Sequence, residues 1–227
     1  TVFQEPEFVL AWYETSRDVP VLVLGLDDGK LVGLMALSHP PASRHMRHAG
    51  AHQAIYDGWI AEPEIESEFA ARAVEIVFEK IQPRRWLFRY LPPGSKVGWA
   101  MRHGAQVTPL VSNLGSFAAP VWDLTDAKFF KRKARSKRLR NYANRYRKEG
   151  DLVLEHVTDP DAAAALVEQL VTWVDFRQGA VNATLPFRED DTKLAFYQAL
   201  ARGPSTRVTL LRLDDRPLAI QLDSVQG

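Results

Sequence analysis

Lys128 to Lys148 carries eleven Lys/Arg and no acid. Cations at this density attract anions, because their fields add over the length of the segment. Arg135, Lys137, Arg138, Arg140, Arg145 and Arg147 occupy much of a helix circumference, with Leu139, Tyr142, Ala143 and Tyr146 as an apolar stripe. Three readings stand together: a solvated helix balancing an acidic globule, a surface for phosphates or an anionic polymer, and a nucleic-acid contact. A basic zipper is excluded, because Gly150 ends the helix and no heptads follow. The whole chain has 29 basic and 28 acidic side chains, so outside this segment 18 bases face 28 acids. The local charge therefore says more about partners than the net +1 does.

Other candidates are sparser. Asp223 follows Leu222 in a run where Leu218, Ile220 and Leu222 share one face of a strand and Gln221 and Asp223 the other. A carboxylate there can act as a general base, or simply sit in water at a strand end. His45, His48 and His52 have metal-like spacing, but Pro40, Pro41, Arg44 and Arg47 put them in a loop among cations. Cysteine is absent, which excludes thiolate catalysis, disulfides and thiolate metal sites. There is no GxGxxG, P-loop or GxSxG pattern. No apolar run reaches membrane-spanning length, the composition of the 227 residues fits a soluble globule, and the absence of cysteine is compatible with a reducing, cytoplasmic location.

These residues need elements to hold them. Two passages read alike: Val21–Leu31 (V-L-V-L-G-L-D-D-G-K-L) and Val208–Leu218 (V-T-L-L-R-L-D-D-R-P-L). Six of eleven positions are identical, and each copy is an apolar run, a two-aspartate turn and a second run. That pattern predicts twin β-hairpins. Between and around them the periodicity predicts helices over 8–14, 64–82, 95–103, 159–178 and 188–202. It predicts strands over 54–60, 86–91, 106–111, 117–124 and 152–158, and one long basic helix from Thr125 or Asp126 to a Gly150 C′ residue. Laid over each other at the hairpins, the halves compose one pattern, β-α-α-β-β-β-α-β-α-β-β, with the first lacking its front and the second its back.

That composite order resembles the GNAT acyl-CoA transferase fold. Particular stretches resemble its double-domain acyltransferases of cellulose and exopolysaccharide synthesis, cousins of the Fem peptidyltransferases. They are F-Q-E-P-E-F-V-L-A-W at Phe3–Trp12, K-A-R-S-K-R-L-R-N-Y-A-N-R-Y-R-K-E-G-D-L-V-L-E at Lys133–Glu155, F-Y-Q-A-L-A at Phe196–Ala201 and L-L-R-L-D-D-R-P-L-A at Leu210–Ala219. The resemblance implies two tandem GNAT-like units. Residues 1–125 would be a degenerate first unit, and 126–227 the basic helix plus the front half of a catalytic one.

It also implies transfer of an acyl group from acetyl-CoA or another acyl-CoA to an amine or hydroxyl, with a saccharide-linked acceptor as one option. In that fold the thioester enters where the fourth and fifth strands part. Trp173, Arg177 and Asn182 then fall near the acceptor site, where Arg177 can pair with a carboxylate or phosphate. Core packing and a helix-end cation are the plainer roles for Trp173 and Arg177. The first unit offers Ala61-Glu62-Pro63-Glu64-Ile65-Glu66 where a phosphate loop belongs, and carboxylates there repel pyrophosphate. The working phosphate loop is expected beyond Gly227. Two rival readings remain: a non-catalytic module that binds an anionic polymer through the basic helix, and aminoacyl-tRNA-dependent transfer as in the Fem cousins.

Overall fold

The computed structural model describes residues 1–89, 91 and 126–225. The predicted helix over 95–103 and the strands over 106–111 and 117–124 lie outside them. The fold is mixed α/β, with two sheets among the described residues.

The first sheet is built on the hairpin of β1 (Val19–Asp27) and β2 (Lys30–His39), which turns through Asp28 and Gly29 at φ 46° and 82°. Both turn residues are left-handed, which matches the twist of the flanking strands. β3 (His45–His48) adds antiparallel to β2, and β5 (Arg85–Trp86) adds parallel to β3. β4 (Ile60–Ala61) pairs with β2 further along, at Gly33 and Leu34. One face of this sheet is covered by α2 (Glu66–Lys80): Phe69, Ala73 and Val77 pack on Val23, Met35 and Leu37. Gly25 and Gly33 face each other across the hairpin under the Phe69 ring, where a Cβ on either would overlap it.

The second sheet is β6 (Leu152–Val157), β7 (Thr206–Leu213) and β8 (Arg216–Ser224), all antiparallel. Its cover is α5 (Pro160–Asn182) and α6 (Thr192–Arg202), whose Ala163, Val167 and Ala201 pack on Val208, with Val157, Ile220 and Leu222 around them. Asp159 caps α5 by accepting from the Ala162 amide. The two sheets meet through helices. α1 (Pro6–Thr15) lies on α6, and Phe8, Trp12, Phe196 and Leu200 form one buried cluster with Ala49, Ala51 and Ala54. Phe196 meets both Phe8 and Trp12 edge-on, at 5.3 and 5.5 Å between centroids.

Several expectations need correction. The strand predicted at 54–60 is mostly loop, and the strand beside β2 is His45–His48, inside the predicted Pro/His/Arg loop. Arg47 explains the difference. Its guanidinium grips Asp18 with two bonds of 2.7 and 2.6 Å, and the Ser38 hydroxyl donates to the same carboxylate. The single basic helix is two, α3 (Ala127–Ala134) and α4 (Lys137–Tyr146), because the Ser136 hydroxyl accepts from the Leu139 amide and starts a new helix. Gly150 is not left-handed. A Cβ there would overlap the Asp214 carboxylate, so close approach explains the glycine.

The twin hairpins also correspond differently. The second turns through Asp214-Asp215, with Asp214 at φ 49°, and Pro217 is the second residue of β8, beside a bulge. The first has its bulge at the matching place. Aligned by turn and bulge, Asp28 corresponds to Asp214, one residue from the pairing the identities suggest. A one-residue slip exchanges the faces of a strand. The true partners are therefore Leu22 with Val208, Val23 with Thr209, Met35 with Gln221 and Leu37 with Asp223.

Candidate active site

In the first sheet, the face carrying Val23, Met35 and Leu37 is buried beneath α2. The corresponding face of the second sheet has an apolar row of Leu154, Leu211 and Ala219 and, next to it, a polar one. His156, Thr209 and Gln221 form a row across β6, β7 and β8, and Asp223 and Arg207 are paired in the adjoining register. His156 Nδ1 lies 3.0 Å from the Thr209 hydroxyl, and the Gln221 amide donates to Asp223 Oδ1 at 2.6 Å. The helices α5 and α6 cover the opposite face. Asp223 thus faces away from the packed core, as its alternation with Leu222 predicts. His156 and Thr209 escaped the sequence analysis. Their signal is the alternation of β6 and β7, which marks a face only once the pairing of those two strands is known.

Trp173 and Arg177 stand one turn apart on the C-terminal half of α5, both exposed, and Asn182 is its last residue. Phe176, 80% exposed, joins them. The turn after α5 is fixed by Asp175, whose two oxygens accept from the amides of Phe187 and Arg188 at 2.9 and 3.0 Å. An acid in mid-helix that caps a turn twelve residues on has no mark in the sequence. Asn182 donates to Gln178 on its own helix. No hydrogen bond or ring contact among the described residues links this group to Asp223.

The first sheet offers a contrasting picture where strands part. β3 and β5 pair over two residues only, His45 with Arg85 and Met46 with Trp86. Beyond them the space is filled. Phe88 stacks on Trp86 at 4.6 Å and meets His48 and Trp59 edge-on at 4.9 and 6.2 Å. The Asp57 amide donates to the Arg89 carbonyl, and the Arg89 amide donates back to Asp57 Oδ2. Asp57 and His48 are each only 4% exposed. Burial pushes the Asp57 carboxyl up to about 7, against the Arg89 amide and guanidinium, and holds the His48 ring down to about 3.

A groove of about 380 Å³ between β1 and α2 has Asp27, Glu62, Glu68 and Arg72 on its walls. α2 begins with Glu66 and Glu68 in its first turn. Acids at a helix N-terminus stabilise the helix and repel pyrophosphate. Among the described residues, aromatic side chains thus fill the space beside β3 and β5, and carboxylates crowd the start of α2. Of the three histidines, His45 is exposed and His48 buried on one strand, and His52 is lowered by burial and by Lys193, Arg47 and Arg89.

Residues 132–227, which hold α4 through β8, match the family described as acetyltransferase (GNAT) domain. Neither a curated protein nor a solved structure matches the chain. The match begins inside α3 and runs through the second sheet, so the polar row and the exposed end of α5 both lie within the matched segment.

Proposed function

We propose that this protein transfers an acyl group from a CoA thioester to an amine or hydroxyl, on the open face of the second sheet. The observation that carries the reading is a substitution of chemistry within a shared hairpin. Val23, Met35 and Leu37 pack a core in the first unit, whereas Thr209, Gln221 and Asp223 line the matching face within the acetyltransferase segment. The first unit, residues 1–125, is then a structural platform, and the unit from 126 onward is catalytic.

The thioester supplies an activated carbonyl. Asp223 takes the proton from the attacking nitrogen or oxygen, and Gln221 orients it by holding Oδ1. His156 is the second titratable group on that face. Trp173 and Phe176 offer flat apolar surface to a sugar-like ring, and Arg177 and Asn182 offer donors to a carboxylate, phosphate or hydroxyl. An acceptor attached to an envelope or exopolysaccharide precursor suits that mixture. The transfer is direct, with nucleophile and thioester reacting without an acyl-enzyme.

The test is release of free CoA thiol by the full-length protein, given acetyl-CoA and a panel of amine and saccharide acceptors. Asp223→Asn is expected to lower kcat by about a hundredfold with the KM for acetyl-CoA unchanged. Arg177→Ala is expected to raise the acceptor KM. Absence of acetyl-CoA binding by calorimetry, together with no thiol release, would overturn the reading.

A further inference from the structure

The basic helices are not used by that site. None of the residues of α4 is buried, and the stripe Leu139, Tyr142 and Tyr146 is 53, 52 and 40% exposed. All eleven Lys/Arg of the segment lack a carboxylate partner among the described residues. Their recorded contacts are with rings: Arg132 and Lys133 over Phe129, and Arg138 over Tyr142. Like charges at Lys137 and Arg140, three apart, weaken a helix that is already short. The segment nevertheless leaves the body at a fixed point. Asp214 accepts from the Asp151 amide at 2.9 Å and its own amide donates to the Asp151 carbonyl at 2.8 Å.

We infer that α3 and α4 form an arm that seats on an anionic membrane surface. Two properties must be satisfied together. The cations call for a dense field of negative charge, which headgroup phosphates supply. The uncovered stripe calls for an apolar layer directly beneath that field. A bilayer interface has this layering, with leucine at the acyl boundary and the tyrosine rings at headgroup depth. A nucleic-acid or polysaccharide chain answers the charge but leaves Leu139 in water. The arm lies on the surface without crossing it; among the described residues no helix is long and apolar enough to span a membrane.

The test is sedimentation of the full chain with vesicles of phosphatidylcholine, with and without phosphatidylglycerol. Binding is expected only where phosphatidylglycerol is present. Arg138→Gln with Arg140→Gln, and separately Leu139→Ser with Tyr142→Ser, are each expected to weaken it by about tenfold. These positions are exposed, and unchanged circular dichroism and melting would show that the variants fold. Because the chain has no cysteine, Tyr142→Cys gives a unique site for an environment-sensitive dye. Its emission should shift to the blue on phosphatidylglycerol vesicles. Loss of binding in the charge variant but not the stripe variant, with no dye shift and full competition by RNA, would overturn the inference in favour of a polyanion surface. Equal binding to both vesicle types, or to neither, would overturn it as well.

Discussion

At the residue scale, two buried titratable groups act in opposite directions. Asp57 is raised to about 7 from an unfolded value near 4. The native state holds a proton that the unfolded state has lost, so its contribution to stability falls as pH rises between those values. His48 is lowered to about 3. There the unfolded state holds the extra proton, so its contribution falls as pH drops below about 6.5. Between about pH 4 and 6.5 the two slopes oppose, and the urea midpoint of the native protein should be nearly flat. Asp57→Asn should expose the His48 slope, with stability rising with pH across that window by up to about 1.4 kcal/mol per unit. His48→Phe should expose the reverse. Parallel pH profiles for native protein and both variants would refute the assignment.

Gly150 belongs to the same scale. Its missing Cβ leaves room for the Asp214 carboxylate that receives the Asp151 amide. Gly150→Ala is expected to cost about 1–3 kcal/mol through overpacking. Adding Asp214→Ala removes the clash, so a denaturation double-mutant cycle should show strong coupling instead of additive losses.

Elements show where local rules were overtaken by contacts. α3 and α4 share one run of charge, yet the Ser136 cap divides them. β3 lies in a stretch rich in Pro, His and Arg, and the Arg47–Asp18 fork and β2 hold it extended. The contact between the two halves to test is α1 on α6. Phe196 is 1% exposed between Phe8, Trp12 and Tyr197. Phe196→Ala should cost about 3–5 kcal/mol and should accelerate hydrogen exchange in both sheets. Acceleration confined to the second sheet would mean that the cluster does not couple them.

For the whole molecule, the two hairpins carry different burdens on corresponding faces. In the first, Leu22 and Leu24 are about half exposed, while their counterparts in the second, Val208 and Leu210, lie on the face packed by α5 and α6. In the second, the face opposite those helices bears Thr209, Gln221 and Asp223. The acyl-transfer reading belongs to this scale, because no single residue on that face is diagnostic. Its significance comes from comparison with a packed copy in the same chain.

The sequence by itself determined both hairpins, the helices α2, α5 and α6, the charge concentrated at 128–148, and Asp223 turned from the core. Those follow from period, turn residues and composition, which are local properties. Only the tertiary structure decided the register between the copies, the strand at His45–His48, the aromatic filling between β3 and β5, and the meeting of Phe8 with Phe196. Each depends on partners distant along the chain. Because alternate strand residues face opposite ways, a register ambiguous by one position left the correspondence between the faces of the two hairpins unreadable until the partner strands were in place.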